Sequence, residues 1–196
     1  EYTYTYARTA SGTETAYISK RELRGYDGSL EAKTTYEYDN LPLGEVEKGN
    51  LTKKTEYSSH SETSVTTYTY DQYGNVLSMT DPNGNQTTYE YDAYNLYPIK
   101  ITNALGHETN LSYDYRHGEI TTEIDENGEQ RETIYDGFGR VLEEYGPDPK
   151  TGAVVLLRSY EYDDTPGAVA VTVTTYRDDL DTTASHQYLD GFGRLV

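Results

Sequence analysis

Along most of this chain, short runs of alternating apolar and polar residues are broken at regular intervals by acidic, glycine-bearing tetrapeptides. Gln86-Thr87-Thr88-Tyr89-Glu90-Tyr91 and Glu119-Ile120-Thr121-Thr122-Glu123-Ile124 are two such runs. Alternation over about six residues predicts a half-exposed strand, and no window carries the 3.6-residue period of a helix. The breaks read Asp71-Gln72-Tyr73-Gly74, Asp81-Pro82-Asn83-Gly84, Asp92-Ala93-Tyr94-Asn95, Asn103-Ala104-Leu105-Gly106, Asp125-Glu126-Asn127-Gly128 and Asp136-Gly137-Phe138-Gly139. After Asp114 the glycine comes one position late, at Gly118, and the pattern loosens at Asp148 to Gly152 before tightening at Asp164-Thr165-Pro166-Gly167. Asp or Asn at the first position folds its side chain back onto the backbone two residues on. Proline at the second presets φ, and glycine at the fourth accepts the left-handed region. Each tetrapeptide therefore predicts a type I turn closed by a glycine bulge, a common hairpin connection.

A longer period runs through the same stretch. Tyr-Asp recurs at Tyr26, Tyr38, Tyr70, Tyr91, Tyr113, Tyr135 and Tyr162, and the steps from Tyr70 to Tyr135 are 21, 22 and 22 residues. Self-similarity at that spacing marks one supersecondary unit copied many times. Tyrosine closes a strand and aspartate opens the next turn. The pairs Tyr36/Tyr38, Tyr68/Tyr70, Tyr89/Tyr91 and Tyr160/Tyr162 sit two apart, so both rings of a pair share one face. Stacking of these pairs from repeat to repeat is expected to form a ladder. The repeat signature comprises Tyr38-Asp39, Tyr70-Asp71 with Gly74, Tyr89 and Tyr91-Asp92, Tyr113-Asp114, Tyr135-Asp136 with Gly139, and Tyr162-Asp163. The intervening turns are Asp81, Pro82, Asn83 and Gly84, then Asn103 and Gly106, then Asp125, Asn127 and Gly128.

These elements predict an all-β fold, an antiparallel meander of hairpin repeats forming a curved, extended sheet. Residues 1–196 read as one array: irregular over 1–67, regular over 68–145, with longer strands over 146–196. The step from Tyr38 to Tyr70 is 32 residues, and the surplus is expected as a loop near Leu41-Pro42-Leu43-Gly44 or Ser58-Ser59-His60-Ser61. Val154-Val155-Leu156-Leu157 and Val169 to Val173 are expected to mark a thicker or more buried region. The chain reads as a piece of something longer, with edge strands near Tyr2 to Tyr6 and at Gln187-Tyr188 prone to edge-to-edge self-association.

Composition changes the picture of the core. Val, Ile, Leu, Met and Phe together are about a sixth of the chain, which with a net charge of −18 would ordinarily signal disorder. The 23 tyrosines argue otherwise. Each ring buries about 150–250 Å² while its hydroxyl stays wet or bonded. A thin sheet with water near both faces is the expectation. A pI of about 4.4 argues against nucleic acid, which demands clustered Lys and Arg. No apolar run approaches a membrane span, and the absence of cysteine excludes disulfide and thiol chemistry.

Candidate chemistry is sparse. Asp81, Asn83 and Asn85 with Asp92 suggest a calcium loop, but glycine stands fourth instead of sixth and the flanks read as strand. Turn formation is preferred, and no metal or cofactor is expected. Gly137-Phe138-Gly139-Arg140 lacks the third glycine of a dinucleotide fingerprint. His60, His107, His117 and His186 are dispersed. Adjacent carboxylates such as Asp163-Asp164 and Asp178-Asp179 arise readily among 34 acidic residues, so no catalytic activity is expected.

Tyr89-Glu90-Tyr91-Asp92, the Asp81 to Gly84 turn before it and Tyr135-Asp136-Gly137-Phe138-Gly139-Arg140 together resemble the YD-repeat (RHS-repeat) family. The likeness is best over 68–145, and Tyr188-Leu189-Asp190-Gly191-Phe192-Gly193-Arg194 repeats it with Leu189 inserted. In that family, which includes bacterial RHS toxins, insecticidal toxin-complex shells and teneurins, hairpin repeats wind into a hollow shell. The resemblance implies a non-catalytic shell segment of a secreted or cell-surface bacterial protein. Its implied partners are the rest of its own shell and an enclosed C-terminal effector domain, without membrane insertion by this segment. The self-cleaving aspartates of some members have no counterpart here. The alternative is a recognition module, teneurin-like or binding cell-wall glycans through exposed tyrosine rows.

Overall fold

The computed structural model describes residues 1–58, 63–165, 169–176 and 182–188. Among them there are fifteen strands and no helix. The strands are β1 (Tyr2–Arg8), β2 (Glu14–Arg24), β3 (Leu30–Tyr38), β4 (Leu51–Ser58), β5 (Thr63–Tyr70), β6 (Val76–Thr80), β7 (Gln86–Tyr91) and β8 (Pro98–Thr102). They continue with β9 (Glu108–Asp114), β10 (Glu119–Ile124), β11 (Gln130–Tyr135), β12 (Val141–Pro147), β13 (Val154–Asp163), β14 (Ala170–Tyr176) and β15 (Thr182–Tyr188). Their order in the sheet is their order in the chain, an antiparallel meander without a crossover. The chain divides into two compact units, 1–107 and 108–196.

In the first unit, β1 to β8, the hairpins are of two kinds. At β6–β7 the register runs cleanly into the turn, Thr80 facing Gln86. At the Tyr-Asp hairpins the ladder slips by one residue just before the tyrosine, between Glu37 and Tyr38, Thr69 and Tyr70, and Glu90 and Tyr91. The extra residue lies on the returning strand: Thr52, Leu77 and Ile99. A bulge of this kind increases local twist and re-aims the neighbouring side chain. The second unit repeats both kinds, with Ile124 facing Gln130 at a clean turn and a slip between Ile134 and Tyr135 at a Tyr-Asp turn.

Burial matches a thin sheet. The buried apolar residues among those described are Ala7, Tyr38, Val46 and Val171, while Ser19, Thr34, Thr35, Thr52, Thr55 and Ser78 are equally buried. Hydroxyl side chains do the filling that Leu and Ile would do in a two-layer core. They are tolerated because they are bonded: Ser19 Oγ donates to Thr5 O (3.1 Å), Thr52 Oγ1 to Glu37 O (3.1 Å), and Thr69 Oγ1 meets Ser78 Oγ (2.7 Å). No buried side-chain polar atom among the described residues lacks a partner.

The surplus between Tyr38 and Tyr70 includes the connection from Asp39 to Asn50; Ser59, His60 and Ser61 lie outside the described residues. This connection forms a strap across the first unit. Arg8 N–H donates to Gly44 O (2.8 Å) and Arg8 O accepts from Val46 N–H (3.0 Å), a parallel bridge that blunts the end of edge strand β1. Val46 thereby packs with Ala7 and Tyr38, flanked by Tyr36 and Leu51. Gly49 has φ +96°, and a side chain there would drive into the Tyr17 ring, which itself packs on Tyr38 at 5.4 Å.

Two expectations need correction. Val154 and Val155 are exposed, so the start of β13 is not a buried region, whereas Val171 in β14 is among the buried apolar residues. The Tyr26-Asp27 pair is out of phase. Gly25 takes the first turn position, with Gly25 N–H donating to Ser29 O (2.9 Å), and Tyr26 stands on the tip with its ring fully exposed.

Candidate functional site: the edge of Tyr-Asp turns

In a meander, successive hairpins alternate between the two ends of the strands, so within each unit the Tyr-Asp turns, Tyr26-Asp27 apart, share one edge of the sheet. Three of them are built the same way. Asp71 Oδ1 accepts from the N–H groups of Tyr73 (2.8 Å) and Asn75 (2.9 Å), Asp92 Oδ1 from Tyr94 (3.0 Å) and Leu96 (2.9 Å), and Asp136 Oδ1 from Phe138 (2.8 Å) and Arg140 (3.0 Å). The turns of the opposite edge use the same device at Asp81, Asn103 and Asp125. Gly74, Gly84, Gly106, Gly128 and Gly139 all have φ between +80° and +91°, and Asn95 takes that place with φ +55°. The late glycine after Asp114 closes a wider turn, Gly118 N–H donating to Asp114 O (2.8 Å). At Asp163-Asp164 the first aspartate is the turn former, accepting from Thr165 N–H (2.9 Å). Pro166 and Gly167, Asp178-Asp179 and the copy from Tyr188 to Arg194 beyond Tyr188 itself lie outside the described residues.

A side chain that sequence reasoning missed closes the remaining carboxylate oxygen. Asn75 Nδ2 donates to Asp71 Oδ2 (3.0 Å), Asn85 Nδ2 to Asp81 Oδ2 (2.9 Å), and Arg140 Nε to Asp136 Oδ2 (2.7 Å). The signal was present as an amide or guanidinium just after the turn glycine. Asn75 Nδ2 also donates to Asn95 O (2.9 Å), tying one Tyr-Asp turn to the next. Arg140 reaches further, from Nη1 to Asp164 Oδ1 (2.7 Å), with its guanidinium 4.2 Å from the Tyr162 ring centroid.

The tyrosines of the signature are held through their hydroxyls. Tyr38 donates to Ile18 O (2.8 Å), Tyr70 to Leu51 O (2.7 Å), Tyr135 to Ile120 O (3.0 Å) and Tyr162 to Val141 O (2.8 Å). The expected ladder of stacked rings gives way to these ties. Ring pairing is found at Tyr2–Tyr4 and Tyr17–Tyr38. Burial pushes the hydroxyls of Tyr38, Tyr70, Tyr91, Tyr135 and Tyr162 above the usual phenol range. Tyr89 faces Ile101 in β7–β8, and Tyr113 faces Ile120 in β9–β10.

The carboxylates move the other way. At Asp81 the Asn85 amide and then its N–H hold the group below its ordinary value. Partial desolvation at Asp71 and Asp136 is overcome by the same kinds of donor. Side-chain bonds from Arg116 take Asp114 to about 2. Asp39 is the extreme in geometry: Oδ2 accepts from the N–H groups of Glu47 (2.9 Å), Lys48 (2.8 Å) and Gly49 (3.0 Å), and Oδ1 from Asn50 (3.0 Å). Carboxylates held this way stay ionised and are poor proton donors near neutral pH. The calcium pattern dissolves too. Asp81 spends its oxygens on its own turn, and β7 carries Asp92 to the opposite edge, about 20 Å away at 3.3 Å per residue.

Between the strap and the β5–β6 hairpin lies an open cleft of about 340 Å³, bordered by Asn40, Glu47, Lys48, Asn50, Tyr68 and Asp71 among others.

Two overlapping stretches, 47–86 and 70–109, match the family model described as RHS Repeat. No curated protein matches the chain in sequence. Among solved structures, TcdB2-TccC3 without its hypervariable C-terminal region aligns with 100% of this chain at 15% identity and a TM-score of 0.58. A Tc holotoxin pore from Photorhabdus luminescens, bearing a TccC3 mutation, aligns with 99% at 15% identity and a TM-score of 0.56. The chain spans only 12% and 11% of those two chains, and at such identity the likeness concerns the fold. Residues 47–109 match the RHS repeat model, and the chain has the fold of the corresponding parts of those solved structures.

Proposed function

We propose that this chain is a non-catalytic wall segment of an RHS-repeat shell that encloses or presents an effector domain in a secreted bacterial toxin. The observation that carries the reading is the tie between successive Tyr-Asp units. Leu51 faces Tyr38 and gives its carbonyl to Tyr70, and Val141 faces Tyr135 and gives its carbonyl to Tyr162. Each unit thus secures the next without a deep core, which suits a wall wetted on both faces. The acidic surface keeps a large β-rich body soluble, and the turn carboxylates are locked into structure instead of being poised for chemistry. The neighbours in fold are toxin assemblies.

The test is limited proteolysis of the full-length natural product that contains this segment. An intact shell protects the effector domain, and deleting the two-strand unit 71–91 exposes it. Equal protection with and without that unit would reject the reading.

A further inference from the structure

Glycine at the fourth turn position follows asparagine twice, at Asn83-Gly84 between β6 and β7 and at Asn127-Gly128 between β10 and β11. Every other asparagine of the chain precedes a residue that has a Cβ. A Cβ shields the following backbone nitrogen from attack on the asparagine side chain, and glycine has none. In both turns the asparagine and the glycine are exposed, and a Cβ on either glycine would meet nothing within 4 Å. One bond therefore guards each glycine nitrogen, Gly84 N–H to Asp81 O (3.0 Å) and Gly128 N–H to Asp125 O (3.0 Å). Such a tip opens locally far more often than the ladder behind it.

The two turns differ in what surrounds that nitrogen. Asp81-Pro82-Asn83-Gly84-Asn85 holds one carboxylate, whose Oδ2 accepts from Asn85 Nδ2 (2.9 Å). Asp125-Glu126-Asn127-Gly128-Glu129 holds three, and Arg131 approaches Glu129 only to 3.9 Å. Position 129 supplies no amide. Both bonds to Asp125 go to Oδ1, so among the described residues no side chain closes its Oδ2, which stands open to the Asn127 amide. Nearby carboxylates oppose loss of a proton from the glycine N–H, because they repel the anion that results. An amide drawn onto the aspartate is also turned away from its glycine. Both effects weigh on Asn127 and spare Asn83.

We infer that Asn83-Gly84 is a self-modification site, at which the chain converts Asn83 to aspartate and isoaspartate through a cyclic imide, well ahead of Asn127. The Gly84 nitrogen gives its proton to solvent base and attacks Asn83 Cγ. The N–Cγ bond forms, the Cγ–Nδ2 bond breaks, and Nδ2 takes up a proton and leaves as ammonia. Water then adds to one of the two imide carbonyls. Cleavage of the new N–Cγ bond gives aspartate, and cleavage of the original peptide bond gives isoaspartate. No oxidant, reductant or cofactor enters. Isoaspartate routes the main chain through the side-chain carbon and lengthens the turn by one atom. The bonds from Gly84 N–H to Asp81 O and from Asn85 N–H to Asp81 Oδ1 (2.8 Å) then fall out of step. The β6–β7 hairpin is thus where the sheet of the first unit loosens with age.

The experiment holds the chain warm at mildly alkaline pH, digests samples over several weeks and weighs the peptides. Each conversion adds one mass unit, and isoaspartate resists a protease that cuts before aspartate. Conversion about fivefold faster at Asn83 than at Asn127 is expected in the folded chain. In urea, where both turns are open and solvated, the ratio should fall to about two or less. Asn85→Glu removes the amide donor and adds a charge, and should slow Asn83 about fivefold, while Glu129→Asn speeds Asn127 by a like factor. Hydrogen exchange at Gly84 and Asn85 should quicken in the isoaspartate fraction. Absence of conversion at Asn83, equal rates at the two sites in the folded chain, a ratio unchanged by urea, or an Asn83 rate indifferent to Asn85→Glu would each overturn the proposal.

Discussion

Leu51 Cα faces Tyr38 across the β3–β4 ladder, and the Leu51 carbonyl accepts the Tyr70 hydroxyl at 2.7 Å. One backbone position therefore touches two consecutive repeat tyrosines. Removing the hydroxyl in Tyr70→Phe strands a part-buried carbonyl while preserving ring volume. A loss of about 0.5–1.5 kcal/mol is expected in urea unfolding. Tyr73→Phe, whose ring is exposed on a tip, is the control and should change nothing measurable.

The turn glycines separate conformational need from space. Gly84 has φ +87° and nothing within 4 Å of where a Cβ would stand, whereas Gly137 lacks a positive φ and is equally open. Gly84→Ala is expected to cost about 1 kcal/mol through backbone strain alone. Gly137→Ala should be neutral or stabilise by about 0.4–1 kcal/mol by restricting the unfolded chain. Thermal melts of the two variants side by side check the difference.

Stability should fall at both ends of the pH scale, for opposite reasons. Asp114 is held at about 2 in the fold by its Arg116 bonds, against an ordinary value of 3.8. The unfolded chain takes up its proton first, so this stabilisation is complete above about pH 4 and is lost as pH drops toward 2. Asp81, Asp125 and Asp148 are shifted in the same direction. The buried tyrosines are raised above 10, so their contribution holds below pH 10 and is lost as pH climbs through their folded values. Denaturant midpoints measured across pH, with tyrosinate absorbance on the alkaline side, test both limbs. Asp114→Asn should flatten the acid limb.

Val46 is 3% exposed in a loop that is otherwise largely wet. Its contact with Ala7 and Tyr38 anchors the strap. Val46→Ala is expected to destabilise by about 1–2 kcal/mol. It should also speed hydrogen exchange of the Glu47, Lys48 and Gly49 amides, which are held by Asp39. Unchanged exchange there would separate the strap from its apolar anchor.

Arg140 joins Asp136, Asp164 and the Tyr162 ring. Arg140→Lys keeps the charge but loses the planar fork and the flat cation over the ring. The unfolding midpoint should drop. Combination with Tyr162→Leu, which removes the ring under the guanidinium, should be non-additive, since the two side chains share one contact; strict additivity would argue that they act separately.

The alternation of Thr, Tyr and Val and the Asp-x-x-Gly breaks were enough to specify strands, turns and strand order, because both are local properties: the pleat has period two, and the turn is closed by its own aspartate and glycine. The positions of Asp71, Asp81, Asp92, Asn103, Asp125 and Asp136 needed no distant partner. Contacts made across strands were hidden. Tyr26-Asp27 has the right letters in the wrong phase, since Gly25 and Ser29 set that turn. The strap from Asp39 to Asn50 gives no periodic signal. Its conformation depends on Arg8, Ala7 and Tyr17, far earlier in the chain. The tyrosine hydroxyls were also unassigned by pattern alone, because a partner 15 to 21 residues away, such as Ile120 for Tyr135 or Val141 for Tyr162, is chosen only once register and bulge have aimed the ring.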